Sequence, residues 1–146
     1  MTKLSISALL LSLNYLISGC GDSTIIDPTS GDCITEVTID LDLYDKGPKD
    51  DVQLLSSAIS GDCLMLSISA SGCDGSTWTT AIYDQGLVAE SSPEQRYLRI
   101  SLDNREECDA VITKDITFDL SPIQIQNDGR LILNIQGSDE SLLYNY

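Results

Sequence analysis

The sequence predicts an all-β domain, an immunoglobulin-like β-sandwich with a small β-barrel as the alternative, stapled by two disulfides. Three observations predict it. Apolar and polar residues alternate with the period of a strand along most of the chain. The alternating runs are short and are separated by Gly, Asp, Ser and Pro turns. An even set of cysteines, Cys33, Cys63, Cys73 and Cys108, follows an isolated Cys20.

The elements follow in order. Val37, Ile39, Leu41 and Leu43 alternate with Thr38, Asp40 and Asp42, which fits a strand with one solvated face. Val52 to Ile59 is a second strand, turned by Ser60-Gly61-Asp62 into a third, where Leu64, Leu66, Ile68 and Ala70 share a face. Trp78, Thr80 and Ile82 predict a fourth strand. Leu98, Ile100 and Leu102 mark a fifth, facing out through Arg99 and Ser101. Ala110 to Leu120 is extended and β-branched. Ile123 and Ile125 run into Asn127-Asp128-Gly129 and then Arg130–Ile135, which reads as a hairpin. Leu142 to Tyr146 docks as a closing strand.

Strand order also predicts the disulfides. A strand rising from Cys33, one descending to Ile59 and one rising from Cys63 place Cys33 and Cys63 at the same end. Continuing down through Trp78–Tyr83 and up through Arg96–Leu102 brings Cys108 beside Cys73. The expected bridges are Cys33–Cys63 and Cys73–Cys108. In the chain-entropy account each closes a loop of about 30 residues and contributes about 3–4 kcal/mol. Gly31-Asp32-Cys33-Ile34 and Gly61-Asp62-Cys63-Leu64 are matching strand entries, in keeping with the first pair.

The N-terminus has a different character. Met1-Thr2-Lys3 carries one positive charge, and Leu4 to Ile17 is mostly apolar. That stretch falls short of the ~20 residues a spanning helix needs and fits the apolar region of an export signal. It ends in Ile17-Ser18-Gly19-Cys20, which resembles the lipobox of bacterial lipoproteins. The resemblance implies that residues 1–19 are a signal peptide and that Cys20 becomes a lipidated N-terminus. Residues 20–30 then form the tether and residues 31–146 a single β domain. A multiply acylated cysteine anchors durably, because each buried CH₂ contributes about 0.8 kcal/mol. Gly21, where an inner-membrane retention signal has Asp, leans the expectation toward the outer membrane of a bacterial envelope.

Charge narrows the chemistry. The 146 residues include 8 basic and 23 acidic ones and no histidine, a formal net charge of −15, and losing Lys3 with the leader deepens the excess. Such a field repels nucleic acid and favours a basic partner. Without histidine, His-based zinc sites and Ser-His-Asp or Cys-His catalysis are excluded.

Candidate sites are few. Asp42, Asp45, Asp50 and Asp51 lie in one acidic loop, the type of oxygen-rich segment that calcium takes, and no other cofactor is expected. Trp78, Tyr83, Arg96, Tyr97 and Arg99 are a candidate binding surface, since aromatics and arginine are enriched at binding hot spots. Asp84, Glu90 and Glu94 are the carboxylates a hydrolase would use. Ser69-Ala70-Ser71-Gly72 resembles a stretch of the C-type lysozyme inhibitors, exported disulfide-bearing β-barrels, and implies inhibition of a basic enzyme. This chain continues Cys73-Asp74-Gly75, where that family has Ala, a variable residue and an aromatic. The expectation is therefore a lipid-anchored envelope or surface protein with a non-enzymatic binding or accessory role. An envelope protein, a glycan or a basic protein would be its partner. Inhibition of a basic enzyme such as lysozyme is the alternative, and a carboxylate hydrolase the third.

Overall fold

The computed structural model describes Cys33 and residues 35–146. Residues 1–19, expected as a signal peptide, and residues 20–30, expected as a lipidated Cys20 and tether, lie outside the described residues. The chain forms a two-layer β-sandwich, and its sheets stay open rather than closing into a barrel. Its strands are β1 (Thr35–Glu36), β2 (Thr38–Ile39), β3 (Gln53–Ser60), β4 (Cys63–Gly72), β5 (Thr79–Asp84), β6 (Glu94–Asp103), β7 (Ala110–Asp119), β8 (Arg130–Ile135) and β9 (Ser141–Asn145). One sheet has the order β1-β7-β4-β3, the other β2-β5-β6-β8-β9. Three pairings, β1 with β7, β2 with β5 and β6 with β8, are parallel.

The alternation read from sequence builds the core. Leu64, Leu66, Ile68 and Phe118 of the first sheet are buried together with Ile82, Leu98, Ile100, Leu131, Leu133 and Tyr144 of the second. The Gly61 turn, with φ 56°, joins β3 to β4, and Cys63 and Cys73 stand at opposite ends of β4. Cys63 is bonded to Cys33 and Cys73 to Cys108, with Cα separations of 5.7 and 4.8 Å. Both separations suit a disulfide.

Two expectations fail locally. The strand read through Leu43 stops at Ile39. Asp40 Oδ1 accepts a hydrogen bond from the Leu43 N–H at 2.9 Å and caps a short helix, α1 (Leu41–Lys46). A carboxylate there satisfies a helix N–H that no ladder uses. Leu41 and Leu43 are consequently exposed, and only Val37 of the alternating series is buried.

The hairpin expected around Asn127-Asp128-Gly129 is absent as well. The turn itself forms, with Gly129 at φ 77°, but the segment before it is a 3-10 turn, Ser121–Ile123, that places Ile123 in the core. Pro122 has no N–H to offer a ladder. The strand after the turn, β8, pairs instead with β6 and β9.

Candidate functional site

The acidic loop lies across the outer face of the second sheet, held there by Arg99. Arg99 and Ser101 point outward, as the alternation requires, yet both are buried beneath the loop. The guanidinium donates from Nε to Tyr44 O at 2.5 Å, from Nη2 to Leu43 O at 2.6 Å and from Nη1 to Pro48 O at 2.9 Å. Ser101 Oγ donates to the same Pro48 carbonyl at 2.8 Å. Leu43 and Tyr44 belong to α1, whose C-terminal carbonyls carry partial negative charge, so a cation there is favourable even though Leu43 O also accepts from the Gly47 N–H at 2.8 Å. Gly47 lets the chain pass this close. A Cβ at Gly47 would stand 2.9 Å from both Arg99 Nη2 and the Tyr83 ring.

This arrangement does not gather the four carboxylates of the acidic loop around one point. Arg99 occupies main-chain oxygens of the loop, and two of the four carboxylates, Asp42 and Asp50, turn to separate partners. Asp42 pairs with Lys46 along the helix, and Asp50 Oδ2 accepts from the Asn104 N–H at 2.6 Å. Asp45 and Asp51 line a groove beside the loop. Among the described residues, no group of three or more Asp, Glu or Cys is placed to hold a metal ion.

The candidate binding surface also comes apart. Arg99 stacks over Tyr83 at 5.5 Å from the ring centre, beneath the loop, while Tyr97 is exposed on the same face. Arg96 points into the sandwich, where its Nη1 donates to Asp84 Oδ1 at 3.0 Å. Trp78 packs against the core on the far side of β5, with Lys114 over its ring at 5.6 Å. Parity explains the division. Arg96 lies in the row of Leu98, Ile100 and Leu102, and Tyr97 and Arg99 in the alternate row.

The carboxylates of the hydrolase alternative stand in different surroundings. Asp84 is fully buried and is tied to Arg96 and to the Gly86 N–H at 2.6 Å. Burial raises its carboxyl above the usual range, opposed by the Gly86 N–H and by Arg96. Glu94 accepts from Asn127 Nδ2 at 2.9 Å, and Glu90 is exposed. Ser69-Ala70-Ser71-Gly72 ends β4 inside a continuous ladder with β7, from Ser69 opposite Thr113 to Gly72 opposite Ala110. It is a central-strand segment rather than a projecting loop.

Glu106 was not singled out by its sequence context. Its Oε2 accepts from the N–H groups of Cys73, Gly75 and Asp74 at 2.6, 2.9 and 3.1 Å, and its Oε1 from Thr77 N–H and Oγ at 3.3 Å each. The 73–77 turn thus forms a concave row of donors around one carboxylate. Desolvation pushes the Glu106 carboxyl up, but the N–H groups of Gly75, Cys73, Thr77 and Asp74 together outweigh it and hold the pKa down to about 2. Its stabilisation is therefore complete above the ordinary value of 4.5 and lost as pH falls toward about 2. The stability difference between the protein and Glu106→Gln, followed by denaturant titration, should be constant above the ordinary value and shrink below it. A difference that grows on acidification would contradict this assignment.

No family model matches the chain, and no curated protein matches it. Solved structures do resemble it. A NigD-like immunity protein from Bacteroides caccae superposes with a TM-score of 0.56 at 14% identity, over 76% of this chain and 63% of that one. A protein of unknown function from Bacteroides vulgatus gives a TM-score of 0.52 at 14% identity, over 77% of this chain and 57% of that one. The likeness is one of fold. This chain spans less than two thirds of either protein.

Proposed function

We propose that this chain is an exported, lipid-anchored bacterial envelope protein that binds a partner and carries out no catalysis. The observation that carries the reading is the conjunction of Ile17-Ser18-Gly19-Cys20 with a domain closed by two disulfides. Disulfides persist in oxidising compartments, where a lipobox would deliver the domain. Gly21 favours the outer membrane. The buried polar side chains Asp84, Arg96 and Arg99 each hold another part of the chain, which supports a structural use for them. The fold shared with a NigD-like immunity protein supports an accessory or immunity-type role. A net charge of −15 favours a basic partner, of which a basic enzyme such as lysozyme is the sharper alternative.

Growth of a bacterial host with a clickable fatty acid tests the anchoring. The wild-type chain should take up the label and sediment with envelope membranes, and Cys20→Ala should do neither. Label retained by Cys20→Ala, or absent from the wild type, would overturn the assignment.

A further inference from the structure

The second sheet is breached beside β6, and the breach exposes main-chain hydrogen-bonding groups to an acidic groove. The pairing of β6 with β8 ends at Leu98 opposite Ile135. Gln136 N–H still donates to Leu98 O at 2.8 Å, after which Gly137, at φ 89°, turns the chain away. Two residues beyond Ile100, Asp50 N–H donates to Leu102 O at 3.2 Å. On the opposite side of β6, Gln85 N–H donates to Tyr97 O. Successive residues of a strand present their N–H and C=O groups to alternate sides. Tyr97, Arg99 and Ser101 therefore face β5, and Leu98, Ile100 and Leu102 face the breach. Among the described residues, no hydrogen bond closes on the Ile100 N–H or C=O from that side.

Ile100 is only 6% exposed, so these groups border a recess rather than open solvent. Unpaired main-chain groups in such a place favour a partner strongly. The recess has a volume of about 420 Å³ and is lined by Asp45, Lys49, Asp50, Asp51, Val52 and Gln136, among others. Asp50 is committed to Asn104, and all three nitrogens of Arg99 are committed to carbonyls. The Asp45 and Asp51 carboxylates hold no hydrogen bond or ion pair among the described residues, and together with Asp50 they outnumber Lys49 in the lining of the recess. Donor, acceptor and negative charge thus converge on one recess.

We propose that the breach seats one residue of an extended, basic segment of a partner protein. The seated residue exchanges both main-chain hydrogen bonds with Ile100, as opposed residues of an antiparallel pair do. Its Lys or Arg side chain lies between Asp45 and Asp51. The inference rests on the binding reading above and names where the partner docks.

The test uses the ¹⁵N-labelled protein and three small probes. N-acetyl-lysine N′-methylamide carries both the peptide groups and the cation. N-acetyl-glutamate N′-methylamide reverses the charge, and n-butylamine has the cation without peptide groups. In the free protein the Ile100 amide should exchange at least about tenfold faster than those of Arg99 and Ser101. The lysine diamide should slow that exchange and shift the Ile100, Gln136 and Gly137 resonances, and the other two probes should not slow it. Asp45→Asn/Asp51→Asn should weaken the lysine diamide about fivefold while leaving Ile100 exchange fast in the free state. Protection of Ile100 equal to its neighbours, no perturbation by the lysine diamide up to its solubility limit, equal slowing by n-butylamine, or unchanged affinity in the double variant would each overturn the proposal. The readout is local to Ile100, so its failure leaves partner binding elsewhere intact, and loss of acylation leaves this recess untouched.

Discussion

Arg96→Leu should destabilise the fold by about 3–5 kcal/mol, the cost of leaving a buried charge without its partner. The Arg96 and Asp84 side chains are 6% and 0% exposed, and Asp84 sits in the inner row with Ile82. Removing the guanidinium strands the Asp84 carboxylate with the Gly86 N–H, and burial, which already raises its pKa, then favours its protonation. The double replacement Asp84→Leu/Arg96→Leu should behave differently. Asp84 Oδ2 and Arg96 Nε hold no hydrogen bond among the described residues, so the pair is incompletely satisfied. An apolar pair at such a site is commonly neutral or stabilising. Urea titration of both variants measures the coupling. A single variant as stable as the wild type would show that the pair does not carry the interior as argued.

Cys73→Ala/Cys108→Ala should cost about 3–4 kcal/mol, nearly all of it through the unfolded state. Both cysteines are exposed, so alanine leaves no cavity in the core. The bridge closes a span of 35 residues that includes β5 and β6, and removing it lets the unfolded chain expand. The denaturant midpoint should fall while the dependence of stability on denaturant steepens, since more surface is exposed on unfolding. Glu106 continues to hold the 73–77 turn in the folded variant, so its native spectrum should stay close to that of the parent. A large spectral change would place the effect in the native state instead.

What could be read from the sequence follows what each residue contacts. The sandwich and its disulfides were legible because burial imposes a period of two on side chains and strand direction places the cysteines. The inner pairing of Arg96 with Asp84 left a signal too, since each shares parity with apolar neighbours; grouping Arg96 with Tyr97 and Arg99 passed over it. Helix α1 has only six residues, too few to replace an alternating pattern with a helical one, and its cue was Asp40 three residues before Leu43. Arg99 and Glu106 act on main-chain carbonyls and N–H groups, which every residue supplies, so no motif in the sequence marks them. The breach beside Ile100 has the same invisibility. It depends on where β8 turns away at Gly137 rather than on which side chains flank it.

The bond between Cys33 and Cys63 has a mechanical consequence. Any pull on the chain ahead of Cys33 crosses the disulfide and enters β4, an inner strand of the first sheet, at its first residue. The two-residue strands β1 and β2, which follow Cys33 and would be the first to peel, stand outside that load path. Tension is borne in shear along the ten-residue β4 between β3 and β7, where many hydrogen bonds must fail together. Reduction of this one bond would redirect the same force to unzip β1 and β2 one pairing at a time.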